Sequence, residues 1–137
     1  MYEISCGWQG DMAFKAQVAG HEILLDADSS VGGHDQGPTP KPLMLVSLAG
    51  CTGMDVVSIL KKMREPVSWF NVRVQADLTD EHPKTYTNMK IIYEFKKADG
   101  LKDENVRKAI TLSQDRYCGV SAMIRKATPV DFEVAYL

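Results

Sequence analysis

The stretch GPTPKPLMLVSLAGCTGMDVVSILKKMRE, residues 37–65, decides the fold because it holds the most apolar segment of the chain, with one cysteine in its middle. Thr39 is placed to cap a helix. The prolines that follow it suit a first turn, where backbone N–H groups have no helical partner to lose. Between Pro42 and Met54 no residue is charged, and no polar stripe follows the helical period. The sequence therefore predicts a long buried central helix over residues 39–65.

The carboxyl end of this helix is polar. Lys61, Lys62 and Arg64 suit the negative end of the helix dipole, and Pro66 stops the helix. The uncharged run is shorter than the roughly 20 residues that a bilayer requires. We therefore expect a core helix and no membrane partner.

The composition is that of an ordinary globular protein. The chain has 137 residues, of which 45 % are hydrophobic and 25 % charged, which predicts a single domain over residues 1–137. A net charge of −2 gives no reason to expect nucleic acid or an anionic membrane as a partner. The first ten residues lack the pattern of a signal peptide, and three cysteines do not make a disulfide framework. The expected location is the cytoplasm.

Alternating polar and apolar residues predict strands on both sides of the central helix. A meander of three antiparallel strands is predicted over residues 1–27, followed by a polar, glycine-rich loop at residues 28–37. Residues 69–137 predict a hairpin, two helices and a last strand. This order favours an α+β fold with antiparallel sheets around the central helix. A helix that is apolar nearly all round needs more cover than these sheets offer, so we expect a second subunit.

Most catalytic motifs are absent from the sequence. There is no Cys-x-x-Cys pair, and the three histidines are scattered singly, so no metal site is predicted. No phosphate-binding loop and no nucleophile elbow occur, and no cofactor is expected. Cys6 falls on the apolar face of the first predicted strand, where a small buried packing role is expected. The other two cysteines remain as candidates for chemistry.

Cys51 and Cys118 are these candidates. Cys51 lies in the middle of a helix, where the dipole gives a thiolate little stabilisation and apolar surroundings disfavour it. Packing is the alternative role, but Gly50 and Gly53 flank this cysteine and leave space for a ligand. Cys118 precedes a predicted short helix, whose free N–H groups can stabilise a thiolate. The sequence thus allows a reactive dithiol.

The segments that carry these cysteines, residues 37–63 and RYCGVSAMIRKA at residues 116–127, resemble the OsmC/Ohr family of cysteine-dependent peroxide reductases. The resemblance in element order covers nearly the whole chain. It implies an intertwined α+β homodimer with two central helices at the interface. It also implies that Cys51 attacks a peroxide and becomes a sulfenic acid, that Cys118 resolves it to a disulfide, and that an external dithiol reduces the disulfide.

The sequence departs from the family at the groups that activate the thiolate. The family uses an arginine from the amino-terminal sheet and a glutamate in the first turn of the central helix. Here no arginine precedes Arg64, and Lys41 occupies the place of the glutamate. Lys15, Lys41 and His34 are the candidate cations, and Lys41 lies about 15 Å along a straight helix from Cys51. We predict that His34 is the closer thiolate partner and that Lys41 acts at the pocket rim.

Two other functions stay open on the sequence. The missing arginine favours a different thiol chemistry in the same pocket, such as handling of a persulfide or another electrophile. A non-enzymatic alternative is that the dimer binds a small apolar ligand while the cysteines only pack. Substitution of Cys51 distinguishes these functions. The enzymatic functions require its sulfur and would be lost, whereas binding of an apolar ligand would be nearly unchanged.

Overall fold

A computed structural model describes residues 1–137, which form six strands and three α-helices. The chain divides into two compact units, Met1–Met44 and Leu45–Leu137. Strands before and after the helices confirm the predicted α+β class. The elements in chain order are β1 (Ser5–Trp8), β2 (Phe14–Val18), β3 (His21–Leu25), α1 (Leu43–Lys62), β4 (Phe70–Leu78), β5 (Tyr86–Phe95), α2 (Asp103–Leu112), α3 (Gly119–Ile124) and β6 (Val130–Tyr136).

The first unit contains the predicted meander. β1 pairs antiparallel with β2, and β2 pairs antiparallel with β3. The buried Asp26 organises the loop that follows, because its carboxylate accepts the N–H groups of Ala27, His34 and Gln36. These bonds lower the pKa of Asp26, and the bond from Ala27 has the largest effect. Glycine is required at Gly33, since a Cβ there would lie 1.9 Å from the carbonyl oxygen of Ala27.

Cys6 does not have the buried role predicted for it. All four residues of β1 are exposed, Cys6 among them. The alternation of polar and apolar residues in this strand therefore does not mark a face that is buried within one chain.

The central helix α1 is shorter than predicted at both ends. It runs from Leu43 to Lys62, so Thr39 is not its cap, and the two prolines precede it. Thr39 and Lys41 each stand before a proline, a position that disfavours the helical conformation. The chain enters the helix instead through a turn in which the N–H of Leu43 donates to the carbonyl oxygen of Pro40 at 3.1 Å.

Only one stripe of α1 is buried within the chain. Its members recur every four residues and are fully buried: Leu48, Thr52, Val56 and Leu60. The opposite face exposes large apolar side chains, namely Met44, Val46, Met54 and Val57. Within a single chain α1 is therefore buried along one side only, so burial on most sides stays a prediction that depends on the expected second subunit.

By length and composition, α1 could also cross a membrane, contrary to the prediction that its apolar run is too short. It has 20 residues, and the mean hydropathy of its most apolar window is 1.9. One such helix says little by itself, because core helices meet the same criteria. Polar side chains of α1 bond to other elements of the second unit: Ser113 lies within hydrogen-bond distance of both Thr52 and Asp55.

The second unit contains a mixed sheet instead of the predicted antiparallel one. β4 and β5 form the predicted hairpin, with a register shift between Gln75 and Asp77. β6 pairs parallel with the other side of β5, so that Met89 faces Val130. The parallel direction follows from the connection, since β6 returns to the sheet only after α2 and α3, and a parallel pair needs such a crossover.

β5 lies at the centre of the core. The period-2 pattern of its sequence predicts an inward face, whose members are all buried: Met89, Ile91, Tyr93 and Phe95. Ile92 and Glu94 on the other face are buried as well. α1 approaches β4 at Gly53, where an added Cβ would lie 3.4 Å from Cγ2 of Val72. Three side chains of α2 complete this core: Val106, Ala109 and Ile110.

Candidate active site

The second unit brings Cys51 and Cys118 together. Their Sγ atoms and a carboxylate oxygen of Asp55 all lie within 4.8 Å of one another. Cys51 and Asp55 are four residues apart on α1 and so share a helix face. Cys118 is buried, with 2 % of its surface exposed, and Cys51 is half-buried. Both thiols are free, and a disulfide between them requires the sulfurs to come within roughly 2.05 Å of each other.

A π-helical turn over Ser113–Tyr117 positions Cys118. The N–H of Cys118 donates to the carbonyl oxygen of Ser113 at 2.7 Å, the five-residue spacing of a π-turn. Cys118 then caps α3, and its Sγ accepts the N–H of Ser121 at 3.4 Å. The predicted position of Cys118 at the start of a short helix is confirmed.

The Cys118 thiol holds its proton tightly. Burial, above all, raises the pKa of Cys118 to about 11, and the neighbouring Cys51 and Asp55 raise it further. The N–H of Ser121 acts in the opposite direction but does not outweigh burial. Cys118 is therefore a neutral thiol at pH 7.

A buried polar network begins at Thr52, the residue after Cys51. Thr52 Oγ1 lies 2.6 Å from the hydroxyl of Tyr93 and 2.8 Å from Ser113 Oγ. Gln114 Nε2 donates to both Thr52 Oγ1, at 3.0 Å, and the Tyr93 hydroxyl, at 3.2 Å. Burial raises the pKa of Tyr93 to about 12, so this hydroxyl also keeps its proton.

Asp55 fixes the direction of these bonds. Ser113 Oγ donates its only proton to Asp55 Oδ2 at 2.9 Å. Ser113 must therefore accept from Thr52, and Thr52 must in turn accept from Tyr93, because each hydroxyl has one proton to give. The hydroxyl protons point one way, from Tyr93 to Asp55, and the network ends on a carboxylate beside the two sulfurs.

Arg125 anchors the other end of the network. Its guanidinium donates to the backbone oxygen and to Oε1 of Gln114, both at 3.1 Å, and Ser121 Oγ donates to the same Oε1 at 2.7 Å. With Oε1 thus occupied by donors, the amide nitrogen of Gln114 is directed at Thr52 and Tyr93. The arginine of this site comes from the end of α3, whereas the family resemblance places one in the amino-terminal sheet.

The two predicted thiolate partners lie in the first unit. His34 Nε2 is 2.8 Å from Asp11 Oδ2, and both side chains are exposed. Lys41 is exposed in the turn before α1. Their roles toward Cys51 stay predictions.

Sequence reasoning missed most of the residues of the polar network beside the thiol pair. Thr52 gave a signal, since it is polar within an uncharged helical run and proves to be fully buried. Asp55 could also have been found from the sequence, because its four-residue spacing from Cys51 places both side chains on one helix face. The sequence predicted no metal site, yet the structure brings two thiols and a carboxylate together. The pattern was missed because Cys118 is distant in the sequence from Cys51 and Asp55.

An open cleft lies beside Asp55. Its volume is about 600 Å³. One side comes from α1, the other from the region that precedes Cys118, and the lining residues are Met54, Asp55, Ser58, Ile59, Lys62, Leu112 and Tyr117. The cleft is of mixed apolar and polar character, and the Asp55 carboxylate, which lies next to the sulfurs, forms part of its wall.

Comparisons with known proteins identify the family of the chain. The family model for OsmC-like protein matches residues 33–133. Protein YhfA of Escherichia coli strain K12 is 34 % identical over 124 residues, which are 90 % of this chain and 89 % of that protein.

Solved structures share the fold. A hypothetical protein from Aquifex aeolicus VF5 is 27 % identical and superposes with a TM-score of 0.82, covering 100 % of this chain and 98 % of that one. An organic hydroperoxide resistance protein OsmC from Legionella pneumophila is 12 % identical, with a TM-score of 0.70 over 98 % of this chain and 96 % of that one. At 12 % identity the likeness concerns the fold alone.

Proposed function

The chain belongs to the OsmC-like protein family, and we propose that it is a cysteine-dependent reductase of organic or hydrogen peroxides. The observation that carries the proposal is the proximity of the Cys51 and Cys118 sulfurs, which belong to one chain and lie within 4.8 Å of each other. The name of the Legionella protein, an organic hydroperoxide resistance protein, supports the same substrate class.

The reaction divides into two steps that balance. The Cys51 thiolate attacks one peroxide oxygen and the O–O bond breaks, which leaves a sulfenic acid on Cys51. The leaving group, an alkoxide from an organic peroxide or hydroxide from hydrogen peroxide, takes a proton to become an alcohol or water. The sulfur of Cys118 then attacks the sulfenic sulfur, a disulfide forms, and the hydroxyl leaves with the Cys118 proton as water. An external dithiol supplies the two electrons and two protons that restore both thiols.

The surroundings of the two cysteines favour this division of roles. Cys51 is half-buried, so a peroxide can reach it. Cys118 is almost fully buried and protonated at neutral pH, because burial raises its pKa to about 11. A protonated, enclosed thiol reacts poorly with peroxide but is well placed to attack a sulfenic acid on its neighbour.

We also propose a homodimer in a reducing cytoplasm. The exposed apolar face of α1, formed by Met44, Val46, Met54 and Val57, needs cover that this chain does not supply. Gly50 lies on that side of the helix with no atom within 4 Å of an added Cβ, which allows a second helix to approach closely. The dithiol reductant requires a compartment in which thiols stay reduced.

Peroxide titration of the reduced protein tests the proposed reaction. We expect loss of two thiols per chain and a mass change of two hydrogens, with one Cys51–Cys118 disulfide in the peptide map. Cys118→Ser should stop at a sulfenic acid that a 1,3-diketone traps, and Cys51→Ser should consume peroxide no faster than free cysteine. The matched control is Cys6→Ser, which removes the exposed third thiol and should leave the rate unchanged. Equal rates in wild type and Cys51→Ser would refute the proposal.

A further inference from the structure

Three side chains of the site supply atoms of the kind that bind a transition metal. The two Sγ atoms and the Asp55 carboxylate oxygen lie within 4.8 Å of one another. Cys51 and Asp55 are held by one turn of α1, and Cys118 by the start of α3, so two rigid elements carry all three. This donor set, two sulfurs and one oxygen, suits a tetrahedral zinc ion better than calcium or magnesium, which prefer oxygen ligands alone.

The spacing of these atoms is close to what zinc requires. With Zn–S bonds of about 2.3 Å and tetrahedral angles, two bound sulfurs lie roughly 3.7 Å apart. The three atoms must therefore approach one another by at most about 1 Å. Shifts of this size lie within the range of side-chain rotation at Cys51 and Asp55, which are not fully buried.

Hydrogen bonds from neighbouring groups already orient two of the three ligands. Ser113 Oγ donates to Asp55 Oδ2 at 2.9 Å, and the N–H of Ser121 donates to Cys118 Sγ at 3.4 Å. Such second bonds to the ligands are typical of metal sites, where they fix the ligand orientation. Asp55 also lines the open cleft, so one of the three ligands is reached from solvent.

We propose that Cys51, Asp55 and Cys118 bind one zinc ion per chain in the reduced protein, with water as the fourth ligand. Each thiol releases its proton to solvent as its sulfur binds, and no electron is transferred. The bound ion occupies both sulfurs, so it blocks their oxidation until a competing chelator removes it. The inference uses the same thiols as the proposed function, but it requires only that they are reduced, not that they act on peroxides.

Cobalt is the probe for the test, because Co²⁺ takes the tetrahedral sites of zinc and its bonds to thiolates absorb light. Reduced, metal-free protein carrying Cys6→Ser is titrated with Co²⁺ and then with Zn²⁺. We expect a thiolate–cobalt band that saturates at one ion per chain and disappears when zinc is added. Absence of the band, or a band that needs two chains per ion, overturns the proposal.

Variants of the three ligands separate this site from adventitious binding. Asp55→Asn keeps the shape of the side chain and should weaken Co²⁺ and Zn²⁺ binding at least about tenfold, since even the loss of a second bond to a metal ligand has that effect. Cys51→Ser and Cys118→Ser should each halve the thiolate band or abolish binding. Asp131→Asn, an exposed carboxylate of β6, is the matched control and should bind as the parent does.

Circular dichroism shows whether each variant has folded. If folded Asp55→Asn binds Co²⁺ and Zn²⁺ with unchanged affinity, the assigned ligand set is excluded. Peroxide consumption is measured separately on the metal-free protein. Metal binding without peroxide consumption would contradict the proposed function but not this inference. Peroxide consumption without metal binding would contradict only the inference.

Discussion

The Cys118 thiol binds its proton more tightly in the folded protein than in the unfolded chain, because burial raises its pKa to about 11 from an ordinary value of 9.0. Its contribution to the free energy of unfolding is therefore complete below about pH 9 and is lost as the pH rises toward about 11. We expect stability, measured by urea unfolding, to fall across this interval. Cys118→Ser should remove this part of the fall, whereas a later fall from Tyr93, whose pKa is about 12, should persist. Identical pH profiles for both proteins would contradict the assignment.

His34 and Lys41 are the residues predicted to assist the Cys51 thiolate. If His34 supplies a positive charge near the sulfur, His34→Ala should slow alkylation of Cys51 at pH 7 about tenfold, the effect of one unit in the thiolate equilibrium. Lys41→Ala should slow it less, as expected for a group at the rim. Mass spectrometry of the Cys51 peptide follows the reaction.

His21→Ala is the control for this prediction, since it removes another exposed histidine of the first unit. In the structure His34 contacts Asp11 at 2.8 Å, so Asp11→Asn should free the ring and change the same rate. If His34→Ala and Lys41→Ala both alkylate at the wild-type rate, neither predicted residue activates Cys51.

At the scale of residues, the sequence predicted the proximity of the two candidate thiols better than their surroundings. Cys51 and Cys118 could be singled out because thiols are few and their flanking segments resemble a family, and their reaction stays a proposal. Thr52, Gln114 and Arg125 could not, because their roles depend on contacts between positions far apart in the chain. Burial of Thr52 and the contact of Arg125 with Gln114 exist only once α1, β5 and α3 are packed together.

At the scale of elements, Gly53 sets the distance between α1 and β4. An alanine fits, since its Cβ would make an ordinary contact of 3.4 Å with Val72, and the loss of a helical glycine offsets any small shift. A leucine would collide with Val72 and Phe70 and should lower the free energy of unfolding by about 1–3 kcal/mol.

Denaturant unfolding of Gly53→Ala and Gly53→Leu checks this prediction. Gly50→Leu is the comparison, because nothing lies within 4 Å of a Cβ at Gly50 in this chain. Equal stability of the two leucine variants, measured at protein concentrations that favour monomers, would show that the contact with β4 does not limit the packing of α1.

The bounds of α1 and the direction of β6 are the element-scale features that the sequence did not predict. The prolines after Thr39 and after Lys41 suit the first turn of a helix, but each also disfavours the helical conformation in the residue before it. The parallel pairing of β6 with β5 depends on the path of the chain through α2 and α3. A strand pattern alone does not contain that information.

At the scale of the whole molecule, the exposed face of α1 makes the proposed dimer testable. Met54 is 74 % exposed in the single chain, and burying such a side chain is worth about 1.5–3 kcal/mol. In a symmetric dimer, Met54→Lys changes the interface in both subunits, so the lost burial free energy counts twice. The dissociation constant should therefore rise at least about 100-fold. Sedimentation equilibrium measures this change.

Met123→Lys is the control for the dimer prediction, because Met123 is also exposed, at 66 %, but belongs to α3. The control should leave the dissociation constant unchanged if the face of α1 is the interface. A wild-type protein that stays monomeric at micromolar concentration would refute the dimer.

The π-helical turn at Ser113–Tyr117 has a consequence for how the gene can change. Cys118 follows this turn in an extended conformation and is held there by the bond from its N–H to the carbonyl oxygen of Ser113 at 2.7 Å. The five-residue spacing of this bond depends on the number of residues in the turn. A single-codon deletion in this segment should therefore remove the bond and leave Cys118 no longer held beside Cys51.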